Sequence, residues 1–466
     1  MPLWVLWWNA LHLLQPAFSR LRAFFWFATT VAGFTVRTEH LGVSSIVRAL
    51  GLNAGCYDNL IKNMHSSAVR IDDLNALWTR VVLKLFPSPV RVNGRRVLVG
   101  DGIKAPKRGK KMPGVKLLHQ QSESNNKSEY IMGHSIQAVC VLVHVLNSVV
   151  AVPLGMRIHE GLVWSNRDRR TLLDKMLSLI NLLGVNEPFY FVGDAYYAAG
   201  KMAQGLLEQG NHLITRVKSN AVAHEPYICE RQQRRGRPRL YGPKIALKTL
   251  INATTGIQQT PSLVYGEQDV IISYVVRDLL WRPTGQLARF VAVMHPTRGA
   301  CLLMSTDTTL GAADIIRLYG LRFKIEHTFK QAVRSIGTFA YHFWMKEMKP
   351  LRRRSGDQYL HRETQKYRDD IKRKTHAYHV FMQAGVVAHG LLQYLAAVAP
   401  TQVWNSFGSW LRTIRPGVAP SEFVVAGALR RTLPEFLLNS RQEAAIAKFI
   451  GDHQDRDIMA MFGIAA

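Results

Sequence analysis

A mixed α/β core, interrupted by a β-rich insertion and flanked by helical regions, is the fold class that this 466-residue sequence predicts. Three observations predict it. Strand-like apolar runs and helix-like segments follow one another from about residue 90 to 217. A Gly- and Pro-punctuated block from about 221 to 300 reads as strands. Residues before about 88 and after about 346 carry apolar positions at steps of three and four. The implied divisions are a helical N-terminal region at 1–89, the first part of the core at 90–220, the insertion at 221–300, the second part of the core at 301–345, and a helical basic C-terminal region at 346–466.

In the N-terminal region, Ser45 to Leu50, a Gly51-Leu52 break and then Asn53 to Asn63 fit a helix–turn–helix or an ordinary helical hairpin. Arg96 to Gly100 is a short apolar strand. Ser135 to His144 and Ser148 to Arg157 are two more, close enough to pair antiparallel. Arg167 to Leu183 has helical spacing, Phe189 to Val192 is the next strand, Ala199 to Gln209 a helix ended by Gly210, and His212 to Val217 a strand. Three antiparallel strands, a helix, a strand, a helix and a strand is the order of a ribonuclease-H-like core.

The insertion is predicted to hold strands at Lys244–Leu250, Val270–Val276 and Phe290–Met294, with a turn at Arg282-Pro283-Thr284-Gly285. Cys301 to Ser305 is a further strand. Leu310 to about Ser335 reads as one long helix. Charge is dense from Met345 to Tyr378, and helical segments follow around Val380–Val398 and Glu422–Ile450.

Composition narrows the class of partner. Sixty Lys and Arg against thirty-two Asp and Glu leave a formal charge of +28, spread along the whole length. Such an excess suits a polyanion, because neutralising phosphates releases counterions. The cysteines at 56, 140, 229 and 301 lie far apart without CxxC spacing, which argues against a zinc site or a disulfide framework and fits a reducing cytoplasm. The apolar N-terminus lacks a basic n-region and a small-residue cleavage site. The uncharged stretch from Ala23 to Val36 is shorter than the roughly 20 residues that span a bilayer. No membrane partner is expected.

Two apolar runs end alike, Val97-Leu98-Val99-Gly100-Asp101 and Phe189-Tyr190-Phe191-Val192-Gly193-Asp194. Each is expected to hold its carboxylate at the end of a strand, on the rim of one sheet. On the last core helix Tyr319, Arg322, Glu326 and Lys330 share a face at steps of three, four and four. Taken alone, a strand-end Asp is more often a turn or cap residue, and the helical set could be a solvated salt-bridge ladder. Two matched acids with a helical Glu behind them instead suit a pair of hard divalent ions acting on a phosphodiester.

At these residues the chain resembles the DDE transposases of bacterial insertion sequences, marked by Y-x₂-R-x₃-E-x₆-K/R. Tyr319, Arg322 and Glu326 match. The final basic position holds Val333, with Arg334 next to it and Lys330 one turn earlier, and geometry favours Lys330 for its role. The resemblance spans roughly residues 90 to 345. It implies Asp101, Asp194 and Glu326 as catalytic metal ligands for two Mg²⁺ or Mn²⁺ ions. It also implies a β-rich insertion between the second Asp and the Glu, and cut-and-paste transfer of 3′ ends to target DNA. The expected assembly is a dimer on two inverted-repeat ends in the bacterial cytoplasm, at the nucleoid. A nuclease without strand transfer, or a domesticated DNA-binding protein, are the alternatives.

Further basic groups are candidates for DNA contact. Tyr319, Arg322 and Lys330 would meet DNA beside the metals. Lys104 and Lys107, with Arg108, Lys110 and Lys111, follow the first Asp. Arg235 and Arg237 belong to an Arg-Gly-Arg-Pro strip suited to a narrow minor groove, or to a plain basic loop. Trp281 could stack on a base, though core packing suits it better; His134 and His159 read as structural.

Overall fold

The strand that carries Asp101 runs through it. In the computed structural model, which describes residues 2–120, 128–228, 239–264, 266–408, 413–440 and 442–455, this strand is Arg95–Pro106. Its first half is buried from Arg96 to Gly100, and its second half alternates exposed positions with half-buried ones and the buried Ala105. The expected end at Gly100 is therefore corrected. The apolar run stops there, but pairing with Tyr130–Val145 continues the strand, as the bond from the Lys107 amide to the Met132 carbonyl at 2.9 Å shows.

The chain divides into two compact units. One comprises Met1–Pro89, Gly102–Val185 and His327–Ala466, and the other Val90–Asp101 and Asn186–Glu326.

The second unit is built on a mixed sheet. Arg96–Val99 pairs parallel with Phe189–Val192, and Phe189–Gly193 lies parallel to His212–Val217. The sheet continues antiparallel through Gly299–Ser305, Gln286–His295 and Ile271–Trp281 to Val222–Pro226 and Tyr241–Ala246. The central parallel strand is buried at all five positions, the continuous apolar pattern of a strand covered on both faces. The segment 222–305 is rich in strands, although Leu247–Leu250 forms a 3₁₀ turn after the strand Tyr241–Ala246. Trp281 is buried and packs in this unit's core.

The helix expected from Leu310 to Ser335 is broken. Ala312–Leu321 and Lys324–Gln331 are separate helical segments, followed by a π turn at Ala332–Ile336. At the break the Arg322, Ile325 and Glu326 amides bond to the carbonyls of Tyr319, Arg322 and Phe323, three residues back instead of four. No Pro marks this place in the sequence, and local propensity alone does not predict it.

The first unit surrounds one long helix, Gln365–Val398, which begins well before the expected Val380. Its residues from Ala377 to Leu395 are almost all buried, so it is apolar on every side, as a core helix is. It is the one described helix long and apolar enough to cross a membrane, yet 89% of that window is buried inside the protein. Leu21–Val36 packs against it, with Phe34 edge-on to Phe381 at 4.8 Å. Asn75 donates to Gln383 at 2.6 Å, and Gln383 donates to the Leu154 carbonyl at 3.2 Å, so its buried amide is satisfied. In the same unit Tyr130–Val145 and Ser148–Ile158 form the expected antiparallel pair. Leu172–Leu183 starts five residues later than its apolar spacing suggests, because Thr171 and Asp174 make a reciprocal capping box. Gly184 ends it at φ 62°, a left-handed position that glycine adopts without strain. The helical pair near residue 50 is present as Ser44–Ala49 and Cys56–Met64.

Candidate active site

All three candidate acids belong to the second unit. Asp101 lies just past the last residue, Val99, that pairs with the strand Phe189–Gly193. Asp194 follows that strand directly and caps a 3₁₀ turn, its Oδ1 accepting from the Tyr196 amide at 3.0 Å. The Thr215 hydroxyl donates to the Asp194 carbonyl at 2.6 Å, which fixes the backbone there.

Glu326 and Asp101 are joined through Arg322. One guanidinium nitrogen, Nη1, bonds to Asp101 Oδ2 at 3.0 Å, and the other, Nη2, bonds to Glu326 Oε1 at 2.7 Å. Two carboxylates from sequence-distant elements thus share one cation. Burial pulls against the Arg322 charge, but Asp101, Tyr319 and Glu326 outweigh it and hold the group above its ordinary value. The tight turn at the helix break is what carries Arg322 into this position.

Tyr197 was not anticipated from the sequence. Burial, then the negative charges of Asp101 and Asp194, push its phenol well above the usual range. It therefore feels both acids at once. Its ring also explains the glycine in Val192-Gly193-Asp194, since a Cβ on Gly193 would fall 2.7 Å from the ring carbon Cδ2. The signal was present as a Tyr three residues after the second acid. Tyr319 is half-buried, its phenol raised by burial with Arg322 opposing, and Asp194 among the charges it feels. Asp307 is committed elsewhere: it accepts from the Tyr190 hydroxyl at 2.6 Å and from the Thr309 amide at 2.9 Å.

Carboxylate oxygens are hard ligands, and the donor set Asp101, Asp194 and Glu326 suits Mg²⁺ or Mn²⁺ chemically. The side chains stand in another arrangement, with Arg322 as the counter-ion of two of them. Among the described residues no group of three or more His, Cys, Asp or Glu side chains is arranged to hold a metal ion.

The basic candidates separate. Lys330 is exposed on Lys324–Gln331 and belongs to the first unit. Lys104 is exposed there and donates to the His119 carbonyl. Lys107 is a correction. It is 4% exposed, donates to the carbonyls of Phe339 and Tyr341, and lies 3.5 Å over the Tyr341 ring. A buried ammonium with these partners cannot reach a DNA phosphate. Arg235 and Arg237 lie outside the described residues. His134 is buried and structural, bonded to the Tyr341 hydroxyl at 2.7 Å and to the Pro113 carbonyl at 2.9 Å.

Burial brings Lys107 down to about 7 from an ordinary 10.5. Between those values the unfolded chain binds more protons than the folded one, so this residue makes stability rise as pH increases from 7 towards 10.5. Replacing Lys107 with Met should flatten that rise in urea unfolding while leaving DNA affinity within about twofold, since no phosphate contact is lost. A large loss of affinity with an unchanged pH profile would return Lys107 to the DNA surface.

Comparison with known proteins adds the family. No curated protein sequence matches. Among solved structures, a piggyBac transposase synaptic complex with hairpin DNA is similar at a TM-score of 0.40 and 11% identity, covering 95% of this chain and 80% of that one. A family model described as DDE superfamily endonuclease matches residues 16–263, more than half of the sequence and a span that contains Asp101 and Asp194. The chain belongs to the DDE superfamily endonucleases.

Proposed function

We propose that this endonuclease is a transposase of a bacterial insertion sequence, which cuts DNA at the inverted-repeat ends of its element and transfers the 3′ ends to target DNA. The observation that carries this reading is the gathering of Asp101, Asp194 and Glu326 in one compact unit, with Arg322 bonded to the first and third. The parallel pairing of Arg96–Val99 with Phe189–Val192 and of that strand with His212–Val217 in one unit, and the antiparallel pair Tyr130–Val145 and Ser148–Ile158 in the other, support a ribonuclease-H-like core, with the β-rich strands 222–305 as its insertion.

Endonucleases of this superfamily generally use divalent metals. In this reading Asp101, Asp194 and Glu326 would hold them, and a pair of ions would supply an activated attacking oxygen and a stabilised leaving oxygen. The protein's own contribution is placement. Asp194 is held by the Tyr196 amide and the Thr215 bond to its backbone, and Asp101 by a strand buried just before it. Arg322 offsets the repulsion between the Asp101 and Glu326 charges. Its planar fork also suits a phosphate, so in this reading it would contact DNA at the site. Joining also needs two ends held together, so the working assembly is a dimer on DNA.

The test is incubation of the purified protein with Mg²⁺ or Mn²⁺, linear DNA carrying the element's ends and a supercoiled plasmid. Joined products that carry the end sequence in the plasmid are expected. Cut ends that never join would leave a nuclease without strand transfer.

A further inference from the structure

The first unit contains a basic cavity that the acids do not explain. Its volume is about 750 Å³, and its rim carries Arg108, Lys110, Arg352 and Arg353. Val115, Ile131, Met132 and Leu351 give it an apolar lining, Lys107 lines it with its ammonium turned to the Phe339 and Tyr341 carbonyls, and no carboxylate does. All four cationic side chains are exposed, and among the described residues none meets an acid. Nearby Lys116, by contrast, is paired with both Asp357 and Glu160. The four charges come from segments far apart in sequence. Backbone bonds tie them together: Leu351 to the Lys110 carbonyl at 2.7 Å, and Met345 to the Lys111 carbonyl at 3.0 Å.

An exposed tryptophan lies beside Gly109, one of the residues that line the cavity. Trp344 is 67% exposed, while its neighbours Phe343 and Met345 are buried, Met345 in a cluster with Met348, Leu360 and Ile371. A Cβ on Gly109, a residue lining the cavity, would lie 3.2 Å from the Trp344 Nε1. The chain therefore anchors itself on both sides of an indole and leaves the ring in water, at a cost in apolar exposure.

We propose that this face binds single-stranded DNA, with a base stacked on Trp344 and the flanking phosphates held by Arg108, Lys110, Arg352 and Arg353. It rests on the DNA-processing reading above for the choice of DNA as the polymer. A basic groove beside an exposed aromatic is the combination that holds single strands, since every unpaired base offers a π face. In a duplex those faces are stacked inside the helix and Trp344 has nothing to meet. The cavity is also within the roughly 300–1,000 Å³ range of pockets that enclose a small ligand, the size of a nucleotide and far below that of a duplex.

The test measures binding of a labelled oligothymidylate and of a duplex of equal length, by fluorescence anisotropy in a chelating buffer where no cleavage occurs. Trp344→Ala should weaken single-strand binding on the order of tenfold or more. It should leave duplex binding within about twofold, and Trp344→Phe should recover most of the loss. Arg352→Ala with Arg353→Ala should lower the salt slope for the single strand by about one to two. Unchanged single-strand affinity in Trp344→Ala, or an equal loss on duplex, overturns the proposal. A protein that binds single strands in this way but never joins ends keeps this inference and removes the transposase reading.

Discussion

Asp101→Asn, Asp194→Asn and Glu326→Gln are each expected to abolish metal-dependent cleavage, with a loss on the order of 10⁴-fold or more, while leaving DNA binding largely intact. An amide keeps the shape of the side chain but loses the charge that a hard cation requires. The two parts of the expectation can be separated in one experiment, with a nicking assay for cleavage and a gel shift in Ca²⁺ or chelator for binding. The same substitutions differ in their effect on the resting site. Asp101→Asn and Glu326→Gln each remove one partner of Arg322, whereas Asp194→Asn leaves that bridge in place. Full cleavage by any one variant would remove that residue from the triad.

Raising salt from roughly 50 to 200 mM should weaken DNA binding by about 10³- to 10⁵-fold, if six to ten phosphates are contacted. The formal charge of +28 makes a large electrostatic share unavoidable, and it is carried mainly by exposed side chains such as Lys110, Arg352 and Arg353. The slope of log affinity against log salt counts the neutralised phosphates. A nearly flat slope would show that these cations lie away from the nucleic acid, and would place the binding energy in base contacts.

Much of the core was legible because its strands are covered on both faces. Phe189–Gly193 reads as a continuous apolar run and is buried throughout. The β-rich character of the insertion was also legible, through its turns. Less legible were the limits of elements set by partners distant in sequence. Residues 102–106 look too polar to extend a strand, yet pairing with Tyr130–Val145 makes them one. Gln365 to His376 is charged and mostly exposed or half-buried, yet it is helical and continuous with the buried stretch that starts at Ala377. Lys107 was the clearest misreading. It sits in a run of basic residues that all look alike in sequence, and only its neighbours Phe339 and Tyr341 distinguish it.

By itself the sequence determined the composition of the candidate site: two apolar runs closed by Val-Gly-Asp, a Tyr-Arg-Glu set at helical spacing, and a strong positive charge. These follow from local periodicity and residue chemistry, which need no knowledge of the fold. Only the tertiary structure decided that the last helix breaks at Arg322, that its guanidinium lies between Asp101 and Glu326, that Tyr197 feels the charge of both aspartates, and that Trp344 lies beside Gly109 of the basic segment. Each of those depends on contacts between residues far apart in the chain. Their energies come from charge pairing and burial at distances of a few ångströms, and linear spacing does not encode them.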